Sequence, residues 1–374
     1  MKLGLFQMPF HFPHREPYEA WERDLDLLVL ADQLGYSEAW IGEHTTLPWE
    51  NVPVPELIIA QALRMTKNLA FGTGVTQLPL QHPVELANRI AMIDNMAQGR
   101  FYWGVGVRAM PSDLEAFGVN DSDMNKVRNR GRECLEAVLG LWEAKGNKYD
   151  FSGEFYEVHS PEAYRDQGAQ FWLQPYQKPH PPIGVASNSP GSDSLRVAGE
   201  RGWLPLSGSI MLPKDIKSQW PIVEQGASSA GRIADRGQWR IARHVFVADT
   251  SKDAREGAME TFGKPFKFLE RYREKAVASK LIGKAPATDQ ETRSTDIPNV
   301  PTLDSMMENV WFVGDPVECA QKIKDLYELV GGFGYLLSVT YDPDDHSMMK
   351  NSVNLLATEV LPRLEKNLPT LDQA

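Results

Sequence analysis

The stretch "LAFGTGVTQLPLQHPVELANRIAMIDNMAQGRFYWGVG", residues 69–106, decides the fold. It begins with a short apolar run, continues with apolar residues at helical spacing, and ends in a second apolar run. This order is typical of two parallel strands joined by a crossover helix. Similar pairs recur along the chain, and the strands are predicted to begin near Lys2, Glu38, Leu69, Arg100, Pro182, Trp203, Trp239 and Gly334.

Eight strands alternating with helices predict an α/β TIM barrel, with a single domain over residues 1–374 and loop insertions at the C-terminal face. A doubly wound open sheet is the rival, but eight strands would be unusual for it. Residues 150–158, "DFSGEFYEV", are typical of a small hairpin, and Pro221 argues against a continuous helix around it. Residues 276–305 are polar, carry three prolines and lack periodicity, which is typical of a lid, an insertion or a disordered segment.

Charge and composition argue against several classes of protein. The net charge is -11 and no block rich in lysine or arginine occurs, so nucleic acid is not the expected partner. The sequence has neither an 18-residue apolar segment nor a signal peptide at its start, which predicts a cytoplasmic protein without membrane spans. Cys134 and Cys319 lie in helical patterns and are expected to be buried as small hydrophobic residues.

Glu43 and His44 follow the second predicted strand and are the first candidates for chemistry. Active sites of parallel barrels form at the carboxyl ends of the strands, where these residues fall. Adjacent side chains on an extended chain point to opposite sides, so only one of the two can face the barrel mouth. The alternative interpretation is that either residue has a structural role and only forms hydrogen bonds to a neighbouring loop.

Other kinds of site find less support. No HxxxH or HxH spacing occurs, so no metal site is expected. There is no GxSxG nucleophile motif and no dinucleotide fingerprint after the first strand. "GVGVR" (residues 104–108) and "SNSPGSDS" (residues 187–194) end neighbouring strands, and their small residues would expose N–H groups to a phosphate. Apolar residues in the same loops, among them Phe10, Trp49 and Met110, indicate either packing or a pocket for an apolar ligand.

Several blocks of the sequence resemble the bacterial-luciferase-like flavin monooxygenases. They are "KLGLFQMPF", "GYSEAWIGEHTTLPWEN", residues 69–106, "ERGWLPLS" and "FVGDPVECAQKI". The likeness spans nearly the whole chain apart from the loop before Ser305. The "GEH" block and "MPSDLEAFG", residues 110–118, are most similar to limonene and diketocamphane monooxygenases.

This resemblance implies a TIM-barrel, two-component monooxygenase. Reduced FMN would come from a separate NAD(P)H:flavin reductase. O2 would add to the flavin as a peroxide at ring carbon 4a, and that flavin peroxide would oxygenate a small apolar substrate, expected to be cyclic or terpenoid-like. His44, with Glu43 beside it, would be catalytic, and a non-proline cis peptide at Gly74–Val75 would brace the flavin ring. Residues 276–305 match the family's mobile segment over the site. A homodimer is expected.

The resemblance also assigns the remaining site residues. Those expected to bind the cofactor are Gly74, Val75, Thr76, Gly106, Val107, Arg108, Ser187, Ser189, Gly191 and Ser192. Those expected to line the substrate pocket are Gln7, Phe10, Trp49 and Met110.

The sequence departs from the family pattern at two points, and two alternatives stay open. Luciferase has a cysteine where Gly106 stands, which puts luminescence chemistry in doubt. Its phosphate-binding arginine falls at Val107 unless a one-residue shift aligns Arg108. The alternatives are a deazaflavin-dependent oxidoreductase and a non-catalytic flavin-binding protein. The serine-rich loop lacks basic residues that would bind the acidic tail of a deazaflavin, which argues against the first alternative. The "GEH" histidine is retained, which argues against the second.

Overall fold

Eight parallel strands close into a barrel in the part of the chain that the structure describes. The structure, a computed structural model, describes residues 1–119, 122–268, 270, 271, 302–368 and 371. Its strands are β1 (Lys2–Gln7), β2 (Glu38–Ile41), β3 (Ala70–Thr73), β4 (Thr76–Gln77), β5 (Phe101–Gly106), β6 (Phe151–Ser152), β7 (Glu157–Val158), β8 (Ile183–Ser187), β9 (Leu204–Ser207), β10 (Arg240–Val247), β11 (Phe312–Gly314) and β12 (Tyr335–Thr340). The barrel order is β1-β2-β3-β5-β8-β9-β10-β12, and β12 pairs with β1. This is the predicted α/β TIM barrel.

The helices alternate with these strands. They are α1 (Pro17–Gln33), α2 (Pro55–Met65), α3 (Pro83–Ala97), α4 (Pro111–Ala116), α5 (Met124–Glu143), α6 (Asp193–Arg201), α7 (Pro213–Lys217), α8 (Trp220–Ser229), α9 (Ser251–Ala258), α10 (Leu303–Asn309), α11 (Pro316–Val330), α12 (His346–Leu355) and α13 (Leu361–Glu365). Helix α11 shows why they begin and end where they do. The Asp315 side chain accepts the first N–H groups, proline fills the first turn, and Gly331 ends the helix with φ 79°.

The predicted strand starts are confirmed to within one residue, and so are two finer features. Strands β6 and β7 pair antiparallel as the predicted hairpin. Around Pro221 the chain breaks into α7 and α8, with the proline in the first turn of α8, where no N–H is needed. Strands β4 and β11 were not predicted, because two or three residues are too few to show a period.

The chain forms two compact units. Unit 1 comprises Met1–Leu5, Phe10–Arg23 and Ser187–Ala374, and unit 2 comprises Phe6–Pro9 and Asp24–Ala186. In unit 1 the core includes the fully buried Trp239 and Leu337, and in unit 2 it includes Trp40 and Trp103. A single domain over residues 1–374 stays a prediction.

Three further sequence predictions can be compared with the structure. Cys134 and Cys319 are buried and free, as predicted. No helix among the described residues is both long and apolar enough to span a membrane. Of the predicted insertion, residues 276–301 lie outside the described part of the chain, and Thr302 already caps α10.

Candidate active site

His44 lies between two carboxylates at the carboxyl end of β2, within unit 2. Its Nε2 is 2.8 Å from Glu50 Oε2, and its Nδ1 is 3.2 Å from Asp113 Oδ2. The Nδ1 contact is a hydrogen bond, and the Nε2 contact with Glu50 is a close ion pair. The His44 side chain keeps 19% of its surface exposed, while both carboxylates are almost fully buried. The imidazole is therefore held at both ring nitrogens, and part of the side chain remains exposed.

The loop after β2 fixes Asp113 as well as His44. Thr46 donates its backbone N–H to Asp113 Oδ1 at 2.8 Å and its hydroxyl to the same oxygen at 2.6 Å. Asp113 itself stands in the first turn of α4. Because a carboxylate that accepts several hydrogen bonds has little freedom to move, Asp113 sets the orientation of the His44 ring.

The two carboxylates keep His44 protonated. Burial alone would lower its pKa, but the charge of Glu50 and the hydrogen bond to Asp113 outweigh burial and raise the pKa of His44 to about 10. Burial would raise the pKa of Asp113, but hydrogen bonds from His44 and Thr46 hold it below the ordinary value. Near neutral pH the pair is an imidazolium and a carboxylate, so His44 is an acid there.

Glu43 points away from His44 into a separate polar cluster, as the alternation of an extended chain predicts. Its Oε1 accepts weak hydrogen bonds from the Gln77 backbone N–H and the Gln81 side chain, both at 3.4 Å. Burial, followed by the charge of Glu56, raises the pKa of Glu43 to about 8. Arg89 pairs with Glu56 at 3.2 Å and limits that repulsion. Glu43 thus holds a proton near neutral pH inside the unit.

The peptide bond between Gly74 and Val75 is cis, as the resemblance implies. It lies directly after β3, and Thr76 follows in β4 with its hydroxyl near Trp103 Nε1 at 3.2 Å. A Cβ added at Gly106 would stand 2.6 Å from Val75 Cγ2. Only glycine at position 106 therefore leaves room for the Val75 side chain in this conformation.

The two candidate phosphate loops lie in different units. In unit 2, Val107 is half-buried and Arg108 is exposed directly after β5. In unit 1, Ser189 and Gly191 are exposed before α6, and Ser192 stands at the N-cap of α6 without a side-chain capping hydrogen bond. Ser187 is instead buried and hydrogen-bonded within its own loop, donating to the Ser189 carbonyl and accepting from Gln219.

The four residues predicted to line the substrate pocket have different surroundings. Gln7 is buried in unit 2 and donates to Asp24 Oδ1 at 2.7 Å. Phe10 is buried in unit 1 against Tyr341, with ring centroids 5.1 Å apart. Trp49 and Met110 are half-buried in loops of unit 2.

Sequence reasoning did not single out Glu50 or Asp113. Glu50 stands in the same loop as His44, and Asp113 lies in the stretch of residues 110–118 that carries part of the family resemblance. A signal was therefore present for both. Among the described residues, no group of three or more histidine, cysteine, aspartate or glutamate side chains could hold a metal ion.

The fold and this site define a barrel enzyme in which His44, at the carboxyl end of β2, can donate a proton. Residues 1–332 match the family described as luciferase-like monooxygenase. The chain belongs to that family, and it is a monooxygenase.

Three relatives illustrate the likeness. The chain is 31% identical to 4-hydroxyprotoasukamycin monooxygenase of Streptomyces nodosus subsp. asukaensis, covering 98% of this chain and 93% of the relative. It is 26% identical to limonene 1,2-monooxygenase of Rhodococcus erythropolis, covering 98% and 87%. A solved structure of the oxygenating constituent of 3,6-diketocamphane monooxygenase from Pseudomonas putida, in complex with FMN, has a TM-score of 0.81, 29% identity and 99% coverage of both chains.

Proposed function

We propose that this chain is the oxygenase component of a two-component system that uses reduced FMN and O2 to oxygenate a small apolar, cyclic substrate. A separate NAD(P)H:flavin reductase would supply the reduced FMN. Support comes from the relative described as an oxygenating constituent bound to FMN, and from the cyclic compounds in the names of the limonene and diketocamphane enzymes. The observation that carries the proposal is the position of His44 between the Glu50 and Asp113 carboxylates.

The residues present fit a flavin. Gly106 leaves room for the Val75 side chain beside the cis peptide, and an open loop before α6 offers N–H groups and hydroxyls of the kind that bind phosphate. The ring would be held by Gly74, Val75, Thr76 and Gly106. The candidate phosphate loops stay two separate proposals, with Val107 and Arg108 in unit 2 and Ser187, Ser189, Gly191 and Ser192 in unit 1. Reduced FMN, when bound, supplies the electrons that activate O2.

His44 acts as the proton donor in this proposal. Its Nδ1 is bonded to Asp113, so the ring keeps its orientation while Nε2 passes its proton to an oxygen atom of the bound reactants. The negative charge of Glu50 beside Nε2 then favours protonation of the ring again, which restores the imidazolium. Glu43 keeps its proton within its own cluster and positions the loop through Gln77 and Gln81.

Replacing His44 tests the proposal, with His82 as the matched control. His82 caps α3 by accepting from the Val84 N–H, so His82→Ala removes a histidine of the same unit that has a structural role. With reduced FMN, O2 and a bicyclic ketone, we expect His44→Ala to form product about 10²- to 10⁴-fold more slowly, the range for loss of a general acid. His82→Ala should stay within a few fold of the parent.

A second readout separates chemistry from binding. Anaerobic titration should give His44→Ala the same affinity for reduced FMN as the parent within a few fold, with more hydrogen peroxide released per product. Product formation by His44→Ala close to the parental rate would contradict the role of His44. A parent that binds a reduced deazaflavin and not reduced FMN would contradict the cofactor.

A further inference from the structure

Arg243 is a fully buried cation on β10, in unit 1. The register pairs Ile241 with Ser207, the last residue of β9, so Arg243 lies beyond the end of that strand. Its Nη1 is 3.5 Å from the Gly208 carbonyl oxygen and 3.3 Å from that of Ser209, the two residues that follow β9. The guanidinium is therefore at the carboxyl end of β9, the end at which barrel enzymes bind their ligands.

The side chain faces away from the helices that pack on β10. His244 and Phe246 lie against Phe262, which stands in the π-helical turn after α9. Alternate residues of a strand point to opposite faces, so Arg243 points to the inner face of the strand. On β12, Ser338 is its partner in register, and Thr340 lies two residues further along the same face.

The guanidinium is only partly satisfied by protein. Nη1 has three long contacts to carbonyl oxygens, of Gly208, Ser209 and Ala242, at 3.3 to 3.5 Å. Nε and Nη2 have no hydrogen-bond partner among the described residues, and no carboxylate there pairs with Arg243. Burial lowers the pKa of Arg243 to about 9, which still leaves it charged at neutral pH. The neighbouring His244 cannot help, because burial and the Arg243 charge lower its pKa to about 3.

Arg240, which is also buried on β10, has partners within the protein. Its guanidinium lies 4.0 Å from the centroid of the Tyr335 ring and donates to the Gln238 carbonyl at 2.6 Å. A buried charge without such partners destabilises the folded state. An arginine in that situation is therefore expected where a bound ligand supplies the missing partner. The difference between the two arginines therefore points to a binding role for Arg243.

The pair of unpartnered nitrogens defines the chemistry of the ligand. Nε–H and Nη2–H lie on one edge of the planar guanidinium and point in parallel, an arrangement that matches two acceptor atoms bonded to one carbon. A carboxylate has that geometry, and so does the N1–C2=O edge of anionic reduced flavin. The Thr340 hydroxyl, which also has no partner among the described residues, adds a donor on the same face.

We propose that Arg243 binds a negatively charged, planar acceptor edge of a bound ligand through Nε and Nη2. The edge belongs either to reduced flavin or to a carboxylate on the substrate. The flavin source rests on the function proposed above, and the carboxylate source is independent of it.

Binding of four probes to Arg243→Gln, with Arg240→Gln as the matched control, tests the proposal. The probes are reduced FMN under anaerobic conditions, oxidised FMN, cyclohexanecarboxylate and its neutral carboxamide. We expect Arg243→Gln to weaken one of the two anions by about 10- to 100-fold, the range for losing a hydrogen bond to a charged group. Oxidised FMN and the carboxamide should change by only a few fold. Arg240→Gln should bind all four as the parent does.

The outcomes separate the two sources. Weaker reduced FMN alone assigns the edge to flavin, and weaker carboxylate alone assigns it to the substrate. If the parent binds no FMN, the proposed function fails while the carboxylate arm still tests Arg243. Equal binding of both anions to the parent and Arg243→Gln would overturn the proposal, as would a parent that binds neither anion. Arg243→Lys, which keeps the charge without the fork, should restore only part of the affinity and covers the case in which the glutamine variant fails to fold.

Discussion

His44 in unit 2 and Arg243 in unit 1 are both cations held at the carboxyl end of a strand, yet they have opposite surroundings. His44 has carboxylates at both ring nitrogens, whereas Arg243 has only distant carbonyl oxygens at one of its three nitrogens. The charge of His44 is balanced by carboxylates of the protein, whereas the charge of Arg243 has no such partner among the described residues. A paired cation can store a proton at a fixed place, and an unpaired one is suited to hold an anion.

The residues around the two cations differ as well. Asp113 is itself fixed by Thr46, so the charge on His44 is supported by a network. Around Arg243, the adjacent histidine is forced to be neutral and adds no charge of either sign. Removing one member of each cluster should therefore have different consequences for folding.

The largest effect on stability is expected at Asp113. Asp113→Ala leaves the His44 imidazolium and the Thr46 donors without their buried acceptor, so the free energy of unfolding should fall by about 3–5 kcal/mol, the range for breaking a buried pair. Chemical denaturation at pH 7 measures it. Asp325→Ala removes an exposed aspartate on α11 and should stay within about 0.5 kcal/mol of the parent. If the two variants were equally stable, the contacts of Asp113 with His44 and Thr46 would not stabilise the fold.

A smaller and opposite pair of effects is expected on β10. Arg240→Met loses a hydrogen bond to a carbonyl and the contact with Tyr335, so stability should fall by about 1.5–3 kcal/mol. Arg243→Met removes a buried charge that lacks partners, so stability should stay level or rise. Denaturation without ligand measures both. A fall for Arg243→Met as large as for Arg240→Met would show that Arg243 is a structural residue.

The sequence was informative wherever a local pattern carried the information. Alternating apolar runs and helical periods located the barrel strands, and Pro221 located a helix break, because both signals depend on neighbouring residues. Strand β11 was missed because its three residues are paired with β10 and carry no pattern of their own. The cis peptide at Gly74–Val75 came from the family resemblance and not from local chemistry.

The site was predictable only in part for the same reason. His44 was found because it follows a strand, but its partner Asp113 is 69 residues away, and one sequence does not show that contact. Arg243 stands in an apolar run that predicted a strand, yet arginine is seldom fully buried. Only the surrounding atoms show that its charge is unpaired.

The most direct test of the account is a titration of the His44 ring by nitrogen NMR in protein labelled at histidine, with His44→Gln to assign the signal. Both carboxylates favour the charged ring, so His44 should remain protonated at pH 8 and titrate near pH 10. Because its pKa is raised on folding, His44 contributes stability fully below about pH 6.5, and that contribution is lost as the pH rises through 10. A His44 signal that titrates near pH 6.5 would contradict the paired imidazolium and the proton-donor role built on it.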